Sequence, residues 1–186
     1  MFDEDKIKNG IRMILEGVGE DPDRQGLIET PDRVARMYKE IFSSVGLRDD
    51  SIEAKIFRVD NSNIVIERDI TFYSMCEHHL LPFYGRAAIA YISNEYVIGL
   101  SKLARIVEFY SRKPQLQERL TEEIAAAVSR KVNNKGVFVH VVAEHLCVNM
   151  RGVKKPGTST VSVSKTGDFL VDRDLCNDVV RLIKEN

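Results

Sequence analysis

The sequence predicts an α+β fold: an antiparallel sheet with helices on one face and extra helices at the N-terminus. Apolar residues recur at helical spacing in some segments and form alternating or β-branched runs in others. These segments follow one another as two helices, a strand pair, two helices, a strand pair and one helix, an order typical of α+β proteins. The chain has no linker composition and no repeat beyond this rough two-fold recurrence. We therefore expect a single structural unit, with an N-terminal helical segment over residues 1–50 and a main domain over residues 51–186.

Apolar stripes predict the first two helices. Residues 7–18 carry apolar side chains at helical spacing, and two glycines end that pattern. In the second helix we expect Thr30 as the N-cap and Pro31 at the first helical position. Arg33 and Arg36 lie on the polar face of this helix.

The segment that follows predicts strands, because β-branched and aromatic residues are concentrated in short runs. Pro82 and Gly85 are expected to separate the last run from the others, and the whole is expected to form a hairpin. The runs cover residues 56–59, 64–66, 70–73 and 87–92.

The second half of the chain repeats the order of helices and then strands. Ser101 is expected to cap a helix that Pro114 interrupts. The remaining predicted elements are a helix over residues 115–132, an alternating strand over 137–143, its partner over 157–164 and a final helix over 175–183.

Composition limits the classes of partner. The 186 residues include 27 Lys and Arg against 28 Asp and Glu, so the net charge of -1 gives no global attraction to nucleic acid or to an anionic membrane. No apolar stretch is long enough to cross a bilayer, and the start of the chain is acidic where a secretory leader would be basic. We expect a cytoplasmic protein without nucleic-acid or membrane partners. Its three cysteines fit reduced thiols or metal ligands better than a disulfide framework.

One thiol and two imidazoles lie within four consecutive positions, at Cys76, His78 and His79. Thiolate sulfur and imidazole nitrogen are ligands that zinc prefers. Cys76 and His79 can chelate one ion only if the backbone turns, because residues three apart in a strand face opposite sides. His78 would then point elsewhere.

A second pair, His145 and Cys147, ends the alternating strand. Odd positions 137 to 147 of that strand share a face, so these two side chains are expected to project together, with His140 on the opposite side. Each pair alone can also be an apolar cysteine beside a hydrogen-bonded histidine. Their joint presence favours a single metal shared by the two segments.

Cys76, His79 and Cys147 would make three ligands and leave one position open, as in catalytic zinc sites. His78 and His145 would then be available for proton transfer, or for hydrogen bonds that orient the ligands.

Basic residues form a second group. Lys102 and Arg105 lie in the first turns of a helix, where backbone N–H groups and cations together suit a phosphate. Arg151 keeps the odd parity of the metal strand and would face the metal if the strand continued. On charge alone, a solvated surface explains these residues better. Glu118 receives no role from spacing alone, and Cys176 is expected to pack in the core.

Four motifs in order resemble the type I zinc-dependent GTP cyclohydrolases, across about residues 64 to 165. A segment at residues 29–33 (ETPDR) extends the resemblance upstream. The motifs are FYSMCEHHLLPF at 72–83, VIGLSKLARIV at 97–107, QLQERLT at 115–121 and EHLCVNMRG at 144–152.

The resemblance implies the tunnelling fold, with residues 51–186 as its catalytic domain. Such units join edge to edge into a pentameric barrel, and two barrels form a homodecamer with active sites between subunits. It also implies hydrolytic opening of the guanine imidazole ring of GTP, loss of formate and rearrangement to 7,8-dihydroneopterin triphosphate.

The same resemblance assigns roles to single residues. Zn²⁺ would be held by Cys76, His79 and Cys147, His145 would protonate guanine N7, and His78 would be the other proton-transfer group. Glu118 would accept the guanine N1–H and 2-amino groups. The remaining substrate-binding residues would be Gln117, Ser101, Lys102, Arg105, Arg151 and Arg33, with Arg36 a further candidate.

Rival functions remain at this point. The nitrile reductase of queuosine biosynthesis shares the fold, but the paired Cys and His segments favour zinc over its cysteine nucleophile. Zinc nucleobase deaminases use similar ligands, but their His-x-Glu and Pro-Cys-x-x-Cys signatures are missing. From another class, the chain could be a catalytically silent, zinc-stapled pterin- or purine-binding assembly.

Overall fold

The computed structural model describes residues 2–185, and its helices and strands follow the predicted order. The helices are α1 (Glu4–Gly17), α2 (Thr30–Ile41), α3 (Leu100–Ser111), α4 (Gln117–Lys131), the short α5 (Leu146–Asn149) and α6 (Arg173–Lys184). The strands are β1 (Ile56–Arg58), β2 (Ile64–Cys76), β3 (Pro82–Ser93), β4 (Tyr96–Ile98), β5 (Pro114–Gln115), β6 (Asn134–His145) and β7 (Thr160–Lys165). Among residues 2–185, no helix combines the length and apolar character that a bilayer crossing requires.

The central sheet has the strand order β5-β2-β3-β6-β7, and all neighbours are antiparallel except β5 and β2. The runs predicted at 64–66 and 70–73 belong to one strand, β2, which has an irregularity between Glu67 and Ile70. Pro82 and Gly85 lie inside β3, so the separation predicted there is wrong. Gly85 is required because a β-carbon would overlap the carbonyl oxygen of Val142 on β6.

Helices α3 and α4 cover one face of the sheet, as predicted. Leu103 and Ile124 are fully buried there against alternate residues of β3 and β6, including Ile89 and Val139. This layer is the main core and fixes the strand ends that carry Cys76 and His145.

The prediction that helices lie on one face only is wrong, because α6 packs on the opposite face. Val179 and Cys176 of α6 are buried in a second cluster with Ala90 and Phe138 of the sheet. Part of β3 is apolar on both faces, so one end of the sheet needs cover on each side. Cys176 is a core residue, as expected.

Two predicted helix caps differ in the structure. Helix α2 begins at Thr30 itself and has Glu29 as its N-cap, and Pro31 lies in the first turn. Helix α3 begins at Leu100 after Gly99, so Ser101 is a helical residue and makes no cap hydrogen bond. The Ser101 side chain is exposed and is therefore accessible to a ligand.

Asp49 connects the N-terminal segment to the core. Its carboxylate accepts hydrogen bonds from the Tyr110 hydroxyl at 3.0 Å and from Arg130 at 3.2 Å, and Lys131 lies 3.7 Å away. Burial alone would raise the pKa of Asp49, but the Tyr110 hydrogen bond and the two cations lower that pKa overall. Burial, with the Asp49 carboxylate adding to it, raises the pKa of Tyr110 to about 12.

Candidate metal centre

Cys76 is the last residue of β2, and the chain turns directly after it. Its N–H donates to the Leu81 carbonyl and its carbonyl accepts from the Leu80 N–H, both at 2.9 Å. The turn brings His79 Nδ1 to 3.8 Å from Cys76 Sγ. The turn that the Cys-x-x-His spacing requires is therefore present. His78 does not point away as expected, because its Nδ1 lies 4.0 Å from the same sulfur.

Cys147 reaches this group from β6 by a route that differs from the predicted one. Strand β6 ends at His145, and Cys147 is the second residue of α5, so the alternation of the strand does not extend to it. The register pairs Phe83 at the start of β3 with His145 at the end of β6. This pairing places the end of β6 beside the β2–β3 turn, and the one-turn helix α5 then returns the Cys147 side chain to Cys76.

The ligand atoms of Cys76, His79 and Cys147 all lie within 4.8 Å of one another. Around tetrahedral zinc with bonds of about 2.3 Å to sulfur and about 2.0 Å to nitrogen, such atoms are about 3.5–3.8 Å apart. The 3.8 Å separation of Cys76 Sγ and His79 Nδ1 agrees with this geometry. Two thiols and one imidazole thus fit zinc with small side-chain adjustments, and one coordination position of a bound ion would remain open.

The electrostatics of the thiol pair also suit a cation. Burial, and next the neighbouring Cys76 thiol, raise the pKa of Cys147, whereas the charge of Arg151 lowers it. Two adjacent thiolates are unfavourable without a positive charge between them, and a divalent ion would supply that charge.

His145, two residues before Cys147, is half-buried, and two contacts fix the orientation of its ring. Its ring stacks on Phe83 with centroids 4.7 Å apart and planes 1° apart. Its Nε2 lies 2.8 Å from Oε1 of Gln117. Burial lowers the pKa of His145, and the charge of Glu118 opposes that shift.

The side chain of Gln117 is only 1% exposed. Its amide nitrogen donates to carbonyl oxygens of β6 and β7, and its amide oxygen faces His145. Gln117 was expected to bind substrate. Its amide is instead enclosed, and neither its nitrogen nor its oxygen is exposed to a substrate. Glu118, the next residue, is exposed in the first turn of α4.

Arg119 and Gln115 support the turn that carries His79, a contact that the sequence reasoning missed. The Arg119 guanidinium pairs with Glu77 inside the turn, and its Nε donates to Gln115 Oε1 at 2.7 Å. The Gln115 carbonyl accepts the Glu77 N–H at 3.1 Å. Both residues lie in a motif quoted above, but nothing in their spacing indicates this contact.

The basic residues are less closely placed. Lys102 is partly buried and Arg105 exposed on the first turns of α3, and Arg151 is exposed after α5. Because β6 ends at His145, the strand-parity argument for Arg151 is wrong, although its charge does act on Cys147. Arg33 forms an exposed 2.6 Å ion pair with Glu29. Within residues 2–185, no hydrogen bond or ion pair joins these cations to the metal ligands.

Fold and site together define an α+β protein in which two thiols and one imidazole are close enough to hold a metal ion, with the partly buried His145 two residues before one of the thiols. The sequence model of GTP cyclohydrolase I matches residues 7–184 of this chain. The chain belongs to the GTP cyclohydrolase I family, so the resemblance inferred from the four motifs is confirmed.

Relatives with known names agree over nearly the full length. The chain is 58% identical over 183 residues to GTP cyclohydrolase 1 of Clostridium perfringens, covering 98% of this chain and 99% of the relative. It is 57% identical over 182 residues to the Finegoldia magna protein of that name, with the same coverage. The corresponding Streptococcus pneumoniae protein is 54% identical over 182 residues, again covering 98% and 99%.

Proposed function

We propose that this chain is a GTP cyclohydrolase I, which opens the guanine imidazole ring of GTP and releases C8 as formate. Rearrangement of the ribose and ring closure then give 7,8-dihydroneopterin triphosphate. The convergence of Cys76, His79 and Cys147, with His145 two residues before Cys147, carries this proposal. The match to the family over residues 7–184 supports the same reaction.

Cys76, His79 and Cys147 would hold Zn²⁺, which supplies Lewis acidity and activated water for attack on C8 of the guanine. The chain itself positions the purine and moves protons. His145 holds a proton for N7, and its stacking on Phe83 fixes the plane in which that proton is offered. His78, whose Nδ1 lies 4.0 Å from Cys76 Sγ, is the second proton-transfer group.

Glu118 selects guanine. Its exposed carboxylate can accept both the N1–H and the 2-amino group, and adenine offers no matching pair of donors. The charge of Glu118 raises the pKa of His145, which requires the two side chains to be near each other. Contact of both residues with one purine requires the same proximity, so this effect supports the role of Glu118. The triphosphate is assigned to the α3 N-terminus and the basic residues: Ser101, Lys102, Arg105, Arg151 and Arg33.

We propose further that the chain has the tunnelling fold and works as a homo-oligomer of five or ten copies. β7 is an edge strand with Val161 56% and Val163 45% exposed. At the opposite edge of the sheet, the side of β2 that faces away from β3 pairs with β5 only at Met75 and Cys76, within the described residues. Joining such edges between copies would pair their free backbone groups. Residues 1–50 and 51–186 would act as one unit, and a site between subunits would let Arg33 reach the substrate.

The three cysteines are all free thiols. Thiolate ligands need a reducing compartment to stay available, so we propose a cytoplasmic location.

The test is to incubate the zinc-loaded protein with GTP and to measure formate together with the fluorescence of the oxidised pterin product. We expect both products in equal amounts, loss of both with a chelator, and recovery when zinc is added back. His145→Ala should retain metal and lose nearly all turnover. If the metal-loaded wild-type protein binds GTP but releases no formate, the catalytically silent binding assembly is the correct function and this proposal is wrong.

A further inference from the structure

The buried amide of Gln117 sits between His145 and the two strands β6 and β7, and its role is not explained by substrate contact. We infer that Gln117 is a positioning residue that fixes the tautomer of His145. Nε2 then always carries a proton, and Nδ1 is the nitrogen that exchanges a proton with the substrate. The last step rests on the proposed function, whereas the tautomer itself does not.

The orientation of the Gln117 amide is fixed by its partners. Its Nε2 lies 3.2 Å from the Val141 carbonyl oxygen and 3.0 Å from the Thr160 carbonyl oxygen. Backbone carbonyls only accept hydrogen bonds, so the NH₂ group must face them. The reversed amide would place Oε1 against two acceptors. Oε1 therefore faces His145.

Because Oε1 can only accept, the nitrogen of His145 that meets it must donate. The 2.8 Å separation of Oε1 and Nε2 is a normal hydrogen-bond length. An unprotonated Nε2 would place its lone pair against the lone pairs of Gln117 Oε1. Water could not relieve this repulsion, since the Gln117 side chain is only 1% exposed. An unsatisfied or repulsive buried contact of this kind is costly, so the Nε2–H form is favoured.

The hydrogen bonds of the two hydroxyl groups next to the Gln117 amide, those of Thr121 and Ser162, agree with this amide orientation. Thr121 Oγ1 donates its only proton to the Gln117 backbone carbonyl at 2.7 Å. Ser162 must then donate to Thr121 across their 2.6 Å contact. This leaves the Ser162 oxygen free to accept from Gln117 Nε2 at 3.1 Å. The three groups that face Gln117 Nε2 can thus all act as acceptors for its two protons, which agrees with Oε1 facing His145.

The remaining nitrogen, Nδ1, makes no hydrogen bond within residues 2–185. Because Nε2 is bonded to Gln117 and the ring is stacked on Phe83, Nδ1 is the ring nitrogen that can contact a substrate. In the proposed reaction the Nδ1–H bond of the imidazolium breaks and its proton forms the N7–H bond of guanine. The electron pair stays on Nδ1, and the product is the neutral Nε2–H ring that Gln117 stabilises.

The direct test is magic-angle-spinning NMR of the zinc-loaded full chain with ring-labelled histidine. The chain has only four histidines, and the signals lost in His145→Asn identify that residue. At about pH 8.5, roughly two units above the ordinary imidazole pKa, we expect His145 to be the Nε2–H tautomer alone. A His145 ring protonated at Nδ1, or a mixture of tautomers, in the wild-type protein would overturn the inference without any variant having to fold.

Variants separate positioning from a structural role. Gln117→Leu should give mixed tautomers and lower kcat on the order of 10²-fold, the range of general acid–base contributions, with KM changed less than about threefold. Gln117→Glu keeps an acceptor for Nε2–H and should keep the single tautomer, but it places a carboxylate oxygen against the Val141 and Thr160 carbonyls and should therefore lower Tm. Ser162→Ala alters the network without touching His145 and should keep the wild-type tautomer.

A Gln117→Leu protein with the wild-type spectrum would show that the amide does not set the tautomer. A wild-type protein that shows the Nε2–H form but converts no GTP would instead contradict the proposed function and leave the positioning role of Gln117 intact.

Discussion

Arg119 connects helix α4 to the turn that presents His79, and its removal should weaken metal binding. The guanidinium pairs with Glu77 in that turn and donates to Gln115 at 2.7 Å. Without Arg119, the turn loses its contact with α4, and His79 is less ordered before a metal binds. Ordering His79 on binding then makes the free energy of metal binding less favourable. We expect Arg119→Ala to lower zinc affinity about tenfold.

This magnitude follows from exposure and hydrogen bonding. The side chains of Arg119 and Glu77 are 41% and 31% exposed, so solvent screens the ion pair, and such pairs contribute about 0.2–1 kcal/mol. The hydrogen bond to Gln115 adds about 1 kcal/mol. Gln115 Oε1 is not left without a partner, because it also accepts from the Leu116 N–H at 3.1 Å. Together these contacts are worth about 1.5 kcal/mol, and about 1.4 kcal/mol corresponds to a factor of ten in affinity.

The assay is competition for zinc between the protein and a chromophoric chelator. Arg181→Ala is a matched control, because Arg181 forms an exposed 3.2 Å pair with Asp178 on α6, outside the metal turn. The control should bind zinc as the wild type does. If Arg119→Ala also binds zinc with wild-type affinity, the turn does not depend on α4 and the reasoning is refuted.

Three further changes have defined outcomes. Glu118→Ala should lower kcat/KM for GTP and remove its preference over ITP, which lacks the 2-amino group; an unchanged GTP/ITP ratio would argue against the carboxylate contact. The lowered pKa of Asp49 means that its charge stabilises the fold above its unfolded pKa and that this contribution is lost as pH falls through the folded pKa. The urea midpoints of the wild type and Asp49→Ala should therefore differ at pH 7 and approach each other as pH falls through the folded pKa of Asp49, and a constant difference would exclude this linkage. Gly85→Ala should abolish soluble protein because its β-carbon overlaps β6, whereas Gly10→Ala, with open space in α1, should keep or raise Tm; equal behaviour of the two in a thermal melt would contradict the packing argument.

Much of the candidate site could be predicted because its ligands have distinctive chemistry. The clustering of Cys76, His78 and His79 in one segment and of His145 and Cys147 in another indicated a shared metal, and the structure brings ligand atoms from both segments together. The position of Cys147 near Cys76 was predicted correctly but for the wrong reason. Strand parity extends only as far as the strand, and a sequence pattern does not show that β6 gives way to helix after His145.

The supporting residues could not be predicted, because their roles arise from tertiary register. Gln117 meets His145 only because α4 packs across β6 and β7, and these contacts join residues 24 to 45 positions apart in the chain. The position of α6 was mistaken for a similar reason. Its apolar face was evident, but the choice of sheet face depends on which strands present apolar residues on both sides.

The central claim is that two distant segments hold one divalent ion through Cys76, His79 and Cys147. Zinc K-edge X-ray absorption on the metal-loaded wild type and on Cys147→Ser tests it most directly. We expect two sulfur neighbours at about 2.3 Å with at least one imidazole in the wild type, and one sulfur neighbour in the variant. A wild-type ion surrounded only by nitrogen and oxygen, or an unchanged sulfur count in Cys147→Ser, would contradict the account.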